Sequence, residues 1–65
     1  RVLAAIDGLS AELRDVIELR HFQDLSYEAI AETLEIPMGT VMSRLYRARS
    51  KLREALGERR EEGRP

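Results

Sequence analysis

Apolar residues return along this chain every three or four positions, and each break in the rhythm falls on a residue suited to stopping or starting a helix. Val2, Leu3, Ile6, Leu9, Leu13 and Ile17 keep helical spacing across an interruption at Gly8. Glycine readily takes the left-handed backbone that closes a helix, so a first helix should end near Asp7. Ser10 is placed to accept hydrogen bonds from the freed amides of the next turn, and Glu12 and Asp15 set negative charge near that positive helix end. The spacing predicts a second helix from about Ala11 to Phe22. Its apolar residues Leu13, Val16, Ile17, Leu19 and Phe22 outnumber what one narrow seam needs. Either all of them are core, or part of this surface stays open for a partner.

Gln23 and Asp24 form a polar connection, after which Ser26 suits an N-cap and Leu25 is spaced to pack on Ile30 as a hydrophobic staple. The third helix should run to about Leu34, burying Ile30, Ala31 and Leu34. Pro37 cannot continue it but suits the start of a new one. From there to Leu56, Val41, Leu45, Ala48, Leu52 and Leu56 make a core-facing stripe. Roughly opposite lie Gly39, Ser43, Tyr46, Arg47 and Ser50, with Thr40, Arg44 and Lys51 on one flank and Met42, Arg49 and Arg53 on the other. Two helices joined by a short turn form a helix-turn-helix, with Ala31 small where they approach. Gly57 reads as a stop, giving one all-α, four-helix domain over 1–57 without winged elements, and a polar tail at 58–65 expected to be disordered.

Charge changes the meaning of the last helix. The chain has net charge -1, yet residues 1–36 hold three basic and eight acidic side chains, while residues 37–65 hold eight and four. Between Thr40 and Arg53 stand five basic residues and no acidic one. That is the footprint of a helix for a polyanion, so a nucleic-acid recognition helix is the first reading. A domain of 65 residues with few aromatics must build a small core of Leu, Ile, Val and Ala. Zero cysteines exclude disulfides and thiolate metal sites, and fit a reducing, cytoplasmic setting. No run is apolar enough to span a membrane, no signal peptide starts at Arg1, and the absent initiator Met suggests a piece of a longer protein. His21 is the only histidine, flanked by Glu18 and Asp24 but with no second ligand pair, nucleophile or phosphate-cradling loop. No enzyme, metal or cofactor reading follows.

The stretch LSYEAIAETLEIPMGTVMSRLYRAR, Leu25 to Arg49, closely resembles region 4 of the bacterial sigma-70 family, extracytoplasmic-function type, and the upstream LSAELRDVIELRHF resembles that family's first helices. The resemblance covers about residues 2 to 56. It implies recognition of the minus-35 element of double-stranded promoter DNA to direct transcription initiation by an alternative sigma factor, docking on the RNA polymerase β flap, and masking by an anti-sigma factor. By position, Ser43, Tyr46 and Arg47 match the base-reading face, with Met42 at a contact position beside them. Thr40, Arg44 and Arg49 match backbone-contacting sites, and Lys51 and Arg53 extend that basic row. The surplus apolar surface around Val2, Ile6, Val16 and Leu19 is the expected polymerase or anti-sigma contact.

Arg47 can offer two donors to a guanine edge or remain a solvated charge, Tyr46 can meet base methyls or lie along the helix, and Arg44 can reach phosphate or pair with Glu28 or Glu32. Three departures from the family pattern stand out. Ser10 replaces a common proline, which its capping ability makes harmless. Glu35 replaces a turn glycine, where a left-handed backbone costs roughly 1 to 2 kcal/mol. Met42 replaces the usual Lys or Arg and removes a positive charge. Two other readings compete: the DNA-binding domain of LuxR-type response regulators, disfavoured by GTVMSRLYRAR, and a helical protein-interaction module that does not bind DNA, disfavoured by the acid-free basic run.

Overall fold

The structure, a computed structural model, describes residues 2–57; the expected tail at 58–65 and the Val2 side chain lie outside that description. Four helices follow in order: α1 (Val2–Asp7), α2 (Ala11–Ile17), α3 (Tyr27–Leu34) and α4 (Met38–Ala55), with no strand among the described residues. The two serine caps form as their positions dictate. Ser10 Oγ accepts from the Leu13 amide at 3.4 Å, and Ser26 Oγ accepts from the Ala29 amide at 3.0 Å. Each satisfies one of the donors a helix start leaves open.

Gly8 ends α1 by a different route from the one expected. It is not left-handed; its amide donates back to the Ala4 and Ala5 carbonyls at 3.2 Å, and the Leu9 amide to the Ile6 carbonyl at 3.0 Å. Leu9 thereby turns inward and is 7% exposed, so the pull of the core sets this turn. Gly57 does take positive φ, +83°, just beyond α4.

The second helix reaches Phe22 as expected, but its last turn is wider. Residues Glu18–Phe22 form a π-turn, in which the Gln23 amide donates to the Glu18 carbonyl at 3.2 Å. In a regular α-helix residues five apart point about 140° apart. The wider turn closes bonds between residues five apart and brings Phe22 to the side of Ile17. Asp24 leaves the turn with φ 56°, and Arg20 Nη1 donates to the Leu25 carbonyl at 2.9 Å while its guanidinium sits 5.5 Å from the Tyr27 ring centre. Arg20 thus ties the α2–α3 connection from both ends.

Ile6, Leu9, Leu13, Val16, Ile17, Ile30, Val41, Leu45 and Ala48 form the buried core, with α4 packed against α1, α2 and α3. This corrects one expectation. Ile6 is 4% exposed and Val16 is 0% exposed, so both are core and neither can present itself to a partner; Leu19 is half-buried against the same cluster. The three-sided packing around α4 buries most of the apolar surplus on the first two helices and leaves Leu3 and Phe22 exposed.

Candidate nucleic-acid interface

The presentation of α4 depends on how α3 stops. Glu35 is left-handed, φ 58° and ψ 49°; its amide donates to the Glu32 carbonyl at 3.3 Å, and the Ile36 amide to the Ala31 carbonyl at 3.0 Å. These two bonds are the Schellman closure of a helix, and Ile36 with Ala31 supplies its apolar contact at the core edge. Glycine favours this conformation, so Glu35 holds it at the steric cost expected from the sequence. Pro37 then sets an extended residue before Met38, and its carbonyl accepts from the Thr40 and Val41 amides at 3.0 and 3.2 Å. No side chain caps this helix start, so its first amides stay open to the outside.

With Val41, Leu45 and Ala48 locked inward, the outer face of α4 is fixed. Ser43, Arg47 and Lys51 are exposed, Thr40 and Arg44 are half-buried beside them, and Met42 and Tyr46 are 50% and 67% exposed. Ser43, Tyr46, Arg47 and Met42 therefore share one open surface with the row of Thr40, Arg44 and Lys51. Arg44 is held from below, but by neither expected partner: Nη2 lies 3.8 Å from Glu12 Oε2 on α2. The contact of α2 with α4 puts Glu12 within reach, whereas Glu28 and Glu32 border the opposite flank, near Met38. At that length and with Glu12 largely in water the pair contributes at most about 1 kcal/mol and leaves Arg44 able to turn outward.

Arg49 and Arg53 sit elsewhere than expected of backbone contacts on the reading face. They lie about 160° and 120° around α4 from Arg47. Both line a groove of about 340 Å³ between the π-turn and the end of α4, with Ile6, Ile17, His21, Phe22, Leu52 and Leu56. Its floor is apolar, its rim is basic, and Phe22 is 58% exposed within it. Arg53 Nε is buried there without a hydrogen-bond partner. Sequence reasoning put the partner surface on Val2, Ile6, Val16 and Leu19 and missed this groove, because the π-turn that exposes Phe22 has no mark in composition or spacing.

The chain matches the family described as "Sigma-70, region 4" over residues 1–52. It belongs to the sigma-70 region 4 family. Among similar proteins, the RNA polymerase sigma-H factor of Pseudomonas aeruginosa is 47% identical over 51 residues, covering 78% of this chain and 26% of that protein. The ECF RNA polymerase sigma factor SigE of Mycolicibacterium smegmatis is 44% identical over 55 residues, 85% of this chain and 21% of that protein. The ECF RNA polymerase sigma-E factor of Escherichia coli is 48% identical over 48 residues, 74% of this chain and 25% of that protein. The chain thus spans about a quarter of the length of these relatives. For a region 4 domain the α3-turn-α4 unit is the helix-turn-helix, and α4 its second helix. No described helix is long and apolar enough to cross a membrane, and no three described His, Cys, Asp or Glu side chains are grouped to hold a metal.

Proposed function

We propose that this region 4 domain reads the minus-35 element of promoter DNA for an alternative sigma factor in the bacterial cytoplasm, with α4 in the major groove. The observation that carries the reading is the outer face of α4: an exposed hydroxyl and guanidinium at Ser43 and Arg47 inside a helix with five cations and no carboxylate from Thr40 to Arg53. Arg47 supplies paired donors to a guanine, Ser43 a hydroxyl and Tyr46 an aromatic surface to neighbouring bases, while Thr40, Arg44 and Lys51 hold phosphates. The groove beside Phe22, apolar below and ringed by Arg49, Arg53 and His21, suits an apolar segment carrying acidic side chains. Its proposed occupant is the polymerase β flap, with an anti-sigma factor as a competitor for the domain.

The test is site selection from random DNA by the full-length protein with polymerase core, followed by binding of two variants. Arg47→Ala should weaken the selected site by about 1 to 3 kcal/mol and relax one base preference. Lys51→Ala should weaken all sequences alike and reduce the salt slope by about one. Equal losses for Arg47→Ala on selected and scrambled DNA would sink the assignment.

A further inference from the structure

Arg49 and Arg53 stand one turn apart on α4. At about 40° and 6 Å from one another, they rise from the same flank of the helix. Both side chains are half-buried along the groove beside the π-turn, over an apolar floor that includes Leu52 and Leu56. Among the described residues no carboxylate lies within ion-pair distance of either guanidinium, and neither donates a hydrogen bond to a side chain or carbonyl. Arg53 Nε is sealed from solvent without an acceptor. Two like charges at this spacing repel each other, and a buried donor left unpaired costs free energy. Folding gains nothing from either arrangement. On the other flank of the same helix Arg44 does have an acid, Glu12, at 3.8 Å.

The unpaired Nε narrows what the groove takes. A carboxylate meets a guanidinium side-on through Nε and one Nη, in two parallel bonds that an apolar side chain cannot supply. A DNA phosphate matches that fork but not its surroundings. The floor is apolar, Phe22 is 58% exposed beside it, and Arg53 lies about 120° around α4 from Arg47. An acidic side chain carried on a polypeptide satisfies both the fork and the floor.

We propose that Arg49 and Arg53 form a carboxylate subsite within the groove, which takes one aspartate or glutamate of the bound polypeptide while Phe22 and Leu56 cover an apolar side chain next to it. The proposal rests on the groove being the polymerase contact, and it names the feature by which the groove selects its occupant: one acid beside an apolar residue. Arg53 holds the carboxylate side-on through Nε. Arg49, one turn earlier, adds its charge from the rim.

The experiment measures capture of polymerase core by the full-length protein and its variants at several salt concentrations. Arg53→Met keeps an apolar stem over the floor and should weaken capture about tenfold, the scale of one charge-assisted pair. The binding that remains should respond less to salt. Arg53→Lys keeps the charge without the fork and should lose most of the same affinity. It serves the same test where Arg53→Met lowers the helical circular dichroism. Aspartates and glutamates of the β flap are then changed one at a time to asparagine or glutamine. One of these changes should weaken capture by the parent about tenfold and leave capture by Arg53→Met unchanged, the coupling of a direct pair. Full capture by both Arg53 variants, or no flap carboxylate coupled to Arg53, would overturn the subsite. So would an Arg53→Met loss that falls on promoter DNA and not on core, since Arg53 would then be a phosphate contact. Full capture by a folded Phe22→Asp variant would instead remove the groove from the polymerase contact, the reading on which the subsite rests.

Discussion

Gly39 offers a sharp test of whether α4 is shaped for something outside the domain. It is the second residue of α4, has no positive φ, and a methyl group built on its Cα would meet nothing within 4 Å. Neither backbone geometry nor packing asks for glycine here. Glycine in a helix costs about 0.5 to 1 kcal/mol relative to alanine, so Gly39→Ala should stabilise the domain by up to that amount. For a domain of this size the gain corresponds to a melting temperature higher by about 2 to 8 °C. The space in front of Gly39 lies between Met42 and Tyr46 on one side of α4 and Arg47 on the other, where a base edge or phosphate would approach the backbone. DNA binding should therefore fall in Gly39→Ala and fall further in Gly39→Leu, even as both variants melt no lower than the parent. Circular dichroism melts and fluorescence anisotropy on a selected site measure the two effects. A lower melting temperature for Gly39→Ala would mean the space is not open. Unchanged binding in both variants would mean that no partner comes close to this turn.

Glu35→Gly should raise stability by about 0.5 to 1 kcal/mol, because relief of the left-handed strain of about 1 to 2 kcal/mol outweighs the added chain entropy of glycine; a chemical denaturation curve shifted to lower midpoint would contradict the Schellman geometry. Val16→Asp should unfold the domain, since a fully buried unpaired charge costs several kcal/mol against a small total stability, and retained helical circular dichroism would place Val16 at the surface after all. Phe22→Asp should keep the helical spectrum and lose capture by polymerase core, and a variant that folds and still binds core at parental affinity would remove the groove from the polymerase contact.

What was legible in the sequence is what a few neighbouring residues decide among themselves. Ser10 and Ser26 cap as expected because a cap involves one side chain and amides three residues on. Glu35 is left-handed because Leu34, Ile36 and Pro37 force a tight stop there. The stripe of Val41, Leu45 and Ala48 is buried because period alone assigns a face to so long a helix. The misplacements arise where distant segments compete. Ile6 and Val16 have the same apolar character as exposed Leu3 and Phe22, and only the packing of α1 and α2 onto α4 sorts them. Arg44 had carboxylates within sequence reach on α3, yet tertiary contact gives it Glu12, 32 positions away. The π-turn is of the same kind, since Glu18–Phe22 contains no glycine, proline or other break to announce it.

The division of the α4 cations between two flanks limits what this domain achieves on its own. With Arg49 and Arg53 lining the groove, three α4 cations are left on the proposed reading face, and one of them, Arg44, is paired with Glu12. Neutralising two or three phosphates gives a salt slope of only about two to three, a shallow hold on DNA. Such a domain becomes selective when something else keeps it near the duplex, because tethering turns a second binding event into an intramolecular one at effective concentrations of the order of millimolar. The groove lies on the far flank from Arg47, so a molecule seated in it leaves the reading face open. On the proposed reading, weak intrinsic affinity keeps the free domain off DNA, and a partner seated in the groove decides when its site is read.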